Sequence, residues 1–133
     1  MEKPICISGK IFSGAGEGAR FTTLPWVRQQ IEEKLGFIPY PGTLNVRLSG
    51  HNVVFRKLVE KLKTIDILPV EGYCRGKCIK ARLMKTVECA IVLPEVEGYP
   101  EDVIEIIAPI NLREKLNLKD GEIVEVEVYF NEV

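Results

Sequence analysis

The chain is poor in the residues from which metal centres and polyelectrolyte surfaces are built. It has one histidine, His51, one tryptophan, Trp26, and a formal net charge of −1 from 18 Lys and Arg against 19 Asp and Glu. Near neutrality argues against broad nonspecific nucleic-acid binding, which relies on a basic face. No apolar run approaches the roughly 20 residues needed to span a bilayer, and Met1 to Ile11 lacks the charged and apolar regions of a signal peptide, so the expectation is a cytoplasmic protein with no membrane partner. Four cysteines are present, but only Cys74 and Cys78 are close, around Arg75-Gly76-Lys77, which reads as a hairpin turn. A structural zinc wants four ligands, usually in paired clusters, and Cys6, Cys89 and His51 are scattered. Buried thiols are the favoured reading, with a Cys74–Cys78 disulfide as the alternative.

What is present suits one globular domain spanning residues 1–133. Hydrophobic residues make up 46% of the 133 positions and charged residues 28%, enough to bury about two thirds of the unfolded surface. Pro4 to Phe12 is β-prone, with Ile5 and Ile7 on one face and Cys6 and Ser8 on the other. Ser13-Gly14-Ala15-Gly16-Glu17-Gly18-Ala19 then breaks the strand. Thr22 and Thr23 can cap a helix from Leu24 to Leu35, whose Val27, Ile31 and Leu35 recur at intervals of four before Gly36 stops it. Leu44, Val46 and Leu48 alternate with Thr43, Asn45 and Arg47, a strand with two distinct faces. Asn52 can cap a second helix to about Lys63, with Phe55, Leu58, Val59 and Leu62 as its core stripe. Strands follow at Cys78 to Lys85, Val87 to Leu93, Val103 to Ala108 and Ile123 to Phe130. Lys85-Thr86 reads as a bend, Pro109 presets a short helix from Ile110 to Leu116, and Lys119-Asp120-Gly121 is a turn. Many short strands with few helices predict a mainly β fold, a closed barrel with α insertions.

Three stretches could carry chemistry. The alternating glycines at Gly14, Gly16 and Gly18 let the backbone approach a ligand such as a phosphate, although a plain glycine-rich hairpin would look similar. Thr43 and Asn45 are oxygen-bearing side chains about 6–7 Å apart on one strand face, and could jointly hold Mg²⁺ if a nucleotide completed its shell; taken alone, the polar outer face of a sheet is the commoner reading. Ala108-Pro109-Ile110-Asn111-Leu112-Arg113 offers a helix start, with its unpaired N–H groups and positive dipole end, plus a guanidinium. Glu105 interrupts Val103-Ile104 and Ile106-Ile107, either facing solvent or lining a pocket where it could take a proton from a substrate hydroxyl.

In this order, Ser-Gly-Ala-Gly-Glu-Gly, Gly-Thr-Leu-Asn, Ile-Glu-Ile-Ile-Ala-Pro-Ile-Asn-Leu-Arg and Leu-Lys-Asp-Gly resemble the archaeal CTP-dependent riboflavin kinase family over nearly the whole chain. The resemblance implies a cradle-loop β-barrel that transfers the γ-phosphoryl of CTP to the 5′-hydroxyl of riboflavin, giving FMN and CDP with Mg²⁺. It implies nucleotide contacts at Gly14, Ala15, Gly16, Glu17, Gly18 and Ala19 and again at Ile110, Asn111, Leu112 and Arg113. Thr43 and Asn45 become the Mg²⁺ ligands and Glu105 a flavin contact; the resemblance does not name the base, for which Glu105 is our choice. The family's other flavin contact, a threonine, falls here on Glu97, a departure from the pattern. The family can carry a winged-helix domain at its N-terminus; the expectation here is the barrel domain alone, without it, working as a monomer. The closing Leu-x-Leu-Lys-Asp-Gly-Glu-x-Val also resembles swapped-hairpin regulators of the AbrB type, which would mean a DNA partner, and a flavin carrier without turnover is a third reading.

Overall fold

β-Branched and aromatic residues alternating with polar ones make strands that must hide one face, and here they hide it by closing on themselves. The computed structural model describes residues 3–14 and 17–130. Its strands are β1 (Lys3–Phe12), β2 (Leu44–Leu48), β3 (Ile65–Ile67), β4 (Gly76–Leu83), β5 (Val87–Pro94), β6 (Val103–Ile107) and β7 (Ile123–Phe130). All pair antiparallel, in the order β3-β4-β5-β6-β2-β1-β7, and β7 pairs back onto β4. Six strands therefore form a closed barrel, with the short β3 pairing in the sheet alongside the first residues of β4, ahead of the stretch that pairs with β7. This is the mainly β, cradle-loop type of barrel expected from the sequence.

Two apolar clusters follow from the closure. Ile7, Ile11, Leu44, Val46, Leu48, Leu83, Ile91, Ile104, Ile106 and Val126 point into the barrel, and α3 (Phe55–Val59) contributes Phe55 and Val59 to the same core. On the outside, α2 (Pro25–Leu35) lays Val27 and Ile31 over Ile67, Cys78, Ala90, Val92 and Ile107. Strand β5 thus has both faces covered, which is why Val87 to Leu93 reads as an almost continuous apolar run.

Several local expectations are corrected. The break after β1 is shorter than the glycines suggest, because α1 (Glu17–Thr23) begins at Glu17. Thr22 and Thr23 do not cap α2: its N-cap is Leu24, with Pro25 at the first helical position. Thr23 Oγ1 instead donates to the carbonyl of Arg20, while buried Thr22 accepts from the Gly42 N–H at 2.9 Å. The second helix is a 3₁₀ turn over Gly50–Val54 followed by the five-residue α3, and Asn52 binds back to Ser49 O rather than capping it. Bonds from Lys61 N to Leu58 O and from Leu62 N to Val59 O tighten its end, so Leu62 reaches the core beyond the helix. Pro109 does not open the last helix: α4 (Leu112–Leu116) starts two residues later than read, capped by Asn111, whose Oδ1 accepts from Glu114 N at 3.2 Å. The bend before β5 falls on Met84 and Lys85, both at positive φ. Arg75-Gly76-Lys77 is not a turn, since Gly76 starts β4. All four cysteines are free, Cys78 and Cys89 buried but Cys6 and Cys74 exposed. Among the described residues no helix is long and apolar enough to cross a membrane.

Candidate functional site

Antiparallel pairing of β2 with β6 puts Asn45 directly opposite Glu105. Both side chains point out of the barrel, because their neighbours Leu44, Val46, Ile104 and Ile106 point in. Thr43, just before β2, completes the group: its single hydroxyl lies 3.1 Å from Asn45 Oδ1 and 3.0 Å from Glu105 Oε1. One proton cannot fully satisfy two acceptors, so oxygen lone pairs are in excess here. Among the described residues no lysine or arginine forms an ion pair with Glu105. Arg47, next on the same face, is committed to Asp102 at 2.9 and 3.1 Å and stacks over Phe12.

The glycine-rich segment meets this cluster through Gly14. A Cβ there would collide with the Asn45 carboxamide, so only glycine lets the loop lie this close. Ala15 and Gly16 lie outside the described residues, and Glu17, Gly18 and Ala19 form the first turn of α1. On its other side Thr43 lines a cleft of about 180 Å³, walled by Tyr40, Gly42 and Leu44 and by Ile110, Asn111, Leu112 and Arg113. The cleft is braced by the Tyr40 N–H donating to Ala108 O at 2.7 Å and by Asn111 Nδ2 donating to the Tyr40 hydroxyl at 3.3 Å. The separate stretches singled out from the sequence are therefore neighbours: Gly14 touches Asn45, Asn45 faces Glu105, and Thr43 shares a cleft with Ile110 to Arg113.

Sequence reasoning missed two partners. Tyr99 donates to Glu105 Oε2 at 2.5 Å, and the guanidinium of Arg56 sits 5.0 Å over its ring. Glu97 is exposed in the turn before it, so the side chain of this loop that reaches Glu105 is Tyr99. Gly98 and Pro100 around it mark a shaped loop, a signal for a placed side chain but not for its target. The other is Asp120, whose carboxylate accepts from Ser13 Oγ at 2.6 Å and from Arg113 at 2.7 Å. These two donors, Ser13 first, hold its carboxyl below the ordinary value.

A hard-oxygen cluster beside a glycine approach and a polar cleft, all on the outer wall of a closed barrel, marks the candidate site of a cradle-loop protein. Residues 11–128 match the family model CTP-dep_RFKase, described as domain of unknown function DUF120, and the chain belongs to this family. It is similar to proteins named riboflavin kinase from Pyrobaculum islandicum (46% identity over 132 residues, 94% of this chain and 61% of the relative) and Pyrobaculum aerophilum (47% over 131 residues, 93% and 60%). A third, from Archaeoglobus fulgidus, is 43% identical over 134 residues, 96% of this chain and 56% of the relative. The chain thus spans about three fifths of the length of these curated relatives. Family membership favours the kinase resemblance over the AbrB-type one.

Proposed function

We propose that the chain is a riboflavin kinase barrel that transfers the γ-phosphoryl of CTP to the 5′-hydroxyl of riboflavin, giving FMN and CDP, and that it works as a monomer in the cytoplasm. The observation that carries this reading is the convergence of Thr43, Asn45 and Glu105 on the outer wall, between Gly14 and the Ile110–Arg113 cleft. Phosphoryl transfer asks mainly for positioning and charge neutralisation, and needs no histidine or cysteine nucleophile.

The residues fit Mg²⁺. The donors are hard oxygens, in excess over the protons that could satisfy them, and among the described residues no lysine or arginine pairs with Glu105. Thr43 and Asn45 would hold it, and when bound it would supply charge neutralisation to the triphosphate. Gly14 to Ala19 would follow the phosphates with backbone N–H groups, and Arg113 would add a positive charge at the far side of the cleft. Ile110 to Leu112 would present backbone groups to the base, and we infer a site suited to a pyrimidine rather than a purine. Glu105, aimed by Thr43 and Tyr99, would accept the proton of the attacking hydroxyl. Glu97 belongs to the same loop as Tyr99 and is assigned with it to the flavin side.

The test is incubation with riboflavin, Mg²⁺ and each of the four nucleoside triphosphates, followed by chromatography for FMN. FMN is expected with CTP well above ATP and GTP, with UTP the nearest competitor because it differs chiefly at the exocyclic group and ring proton. A preference for ATP overturns the donor and leaves a riboflavin kinase. Riboflavin binding without FMN from any donor makes the chain a carrier, and omission of Mg²⁺ without loss of rate removes the metal role.

A further inference from the structure

The Leu118-Lys119-Asp120-Gly121 turn contributes nothing to the cleft walls, yet it is fastened to the glycine segment. The Gly121 N–H donates to Ile11 O at 2.8 Å, the Ile11 N–H donates to Glu122 O at 2.9 Å, and Gly121 takes a φ of +91°, which favours glycine. This lock places the Asp120 carboxylate between two segments far apart in sequence. One oxygen accepts from Ser13 Oγ at 2.6 Å, the residue directly before Gly14, and the other accepts from Arg113 at 2.7 Å. The same Arg113 nitrogen lies 3.4 Å from the carbonyl of Phe12. Among the described residues these contacts use only one terminal nitrogen of Arg113, leaving its other N–H donors to be offered elsewhere.

We propose that Asp120 is a positioning residue that couples the glycine segment to Arg113, so that the phosphates of a nucleotide meet the loop and the guanidinium in one fixed geometry. The inference rests on the nucleotide-binding reading above. Asp120 touches neither the cleft nor the Thr43–Asn45–Glu105 cluster, and it acts through Ser13 and Arg113. An anion arriving between the two segments finds the cation already oriented by a carboxylate beside it, rather than having to order a free arginine side chain. The carboxylate, held ionised by its two donors, keeps that orientation throughout the neutral range.

The experiment compares wild type with Asp120→Asn, Asp120→Ala and Asp120→Glu, reading CTP affinity by calorimetry with Mg²⁺ present and, separately, the steady-state constants for CTP and riboflavin. Asp120→Ala is expected to weaken CTP binding and raise its KM by roughly three- to tenfold, the scale of one exposed charge-assisted contact, with the riboflavin KM unchanged. Asp120→Glu should recover part of the loss. In a double-mutant cycle the loss from Asp120→Ala should largely vanish in an Arg113→Lys background, which a merely structural turn residue would not show. Unchanged CTP affinity and KM in Asp120→Ala, or losses that simply add to that of Arg113→Lys, overturns the coupling. If wild type binds CTP in an Asp120-dependent way but makes no FMN, the coupling stands and the kinase reading falls; if wild type does not bind CTP, both fall.

Discussion

Two walls of the same barrel carry polar residues with the same period of two and use them in opposite ways. On the wall formed by β1, β7 and β4, the charges around Arg82 answer one another: Arg82 pairs with Glu88 at 2.6 Å and lies over the Tyr129 ring, and Tyr129 donates to Glu127 at 3.0 Å. This is a solvated sheet face, in which the cross-strand neighbours of Arg82, Glu88 and Glu127, carry the opposite sign. On the wall formed by β2 and β6, Asn45 and Glu105 also sit opposite each other, but they and Thr43 bring together more acceptors than donors, and among the described residues no cation pairs with Glu105. Alternation makes an outer face. Unbalanced chemistry on that face marks a site.

The sharpest way to break the comparison is to mutate both walls in parallel. Thr43→Ala, Asn45→Ala and Glu105→Gln should each lower FMN formation by roughly 10²–10⁴-fold while the circular dichroism spectrum and thermal midpoint stay close to wild type, because none removes core volume. Arg82→Ala and Glu88→Gln should leave both activity and melting unchanged, since exposed ion pairs contribute little. If the second pair costs as much activity as the first, the two walls do not differ in function. If Glu105→Gln weakens riboflavin binding but keeps the turnover number, Glu105 is a positioning contact and the base lies elsewhere.

Two glycines on either side of Asn45 sharpen the contrast between fold and site. A Cβ at Gly9 would meet the backbone oxygen of Arg47 at 2.5 Å and Val46 Cγ1 at 2.7 Å, both fixed by the β1–β2 ladder. Gly9→Ala should therefore destabilise the barrel by about 1–3 kcal/mol, read as a lower denaturation midpoint. At Gly14 the clash is with the end of the Asn45 side chain, which can swing away. Gly14→Ala should melt near wild type yet lose most activity, because the displaced carboxamide is a proposed metal ligand. Equal effects of the two substitutions on stability would show that Gly14 serves the fold.

How far the sequence reaches is clear from these same residues. Closure of a mainly β chain, the two faces of β2 and the core stripe Phe55, Val59 and Leu62 were legible, because each follows from local periodicity. The nearness of Gly14, Asn45, Glu105 and Arg113 was reachable only through resemblance, since it depends on strand order and register, which no local pattern encodes. Helix starts were misplaced where a threonine or proline offered a cap or a fixed φ but tertiary contacts used it otherwise: Thr22 serves Gly42, and Asn111 takes the cap that Pro109 suggested. Tyr99 and Asp120 were invisible because each reaches its partner across a turn or a long sequence gap, 107 residues in the case of Ser13 and Asp120.

The smallest effect concerns the cysteines, which sample the solvated and the covered surfaces. Cys6 is on β1, opposite Glu127 on the solvated wall, and Cys74 is exposed in the turn before β4. Cys78 lies under α2, and Cys89 points into the barrel. Burial is the main cause that pushes both buried thiols from 9.0 up to about 12. Since the thiolate is the nucleophile, iodoacetamide at pH 8 should label Cys6 and Cys74 quickly, and Cys78 and Cys89 only at the rate at which the barrel opens. Mass spectrometry of a time course reads this directly. The same shift fixes the sign of a pH effect. The folded state keeps its two buried thiols protonated after the unfolded chain has begun to lose those protons, so the stability that they contribute is intact below pH 9 and declines between 9 and about 12. Urea midpoints should therefore fall more steeply above pH 9 in wild type than in a Cys78→Val, Cys89→Val double variant, which has no thiol at either site to titrate. Rapid labelling of all four cysteines in the folded protein, or equal slopes for the two proteins, would mean that the wall covered by α2 and the barrel interior are as open to solvent as the wall that carries Cys6.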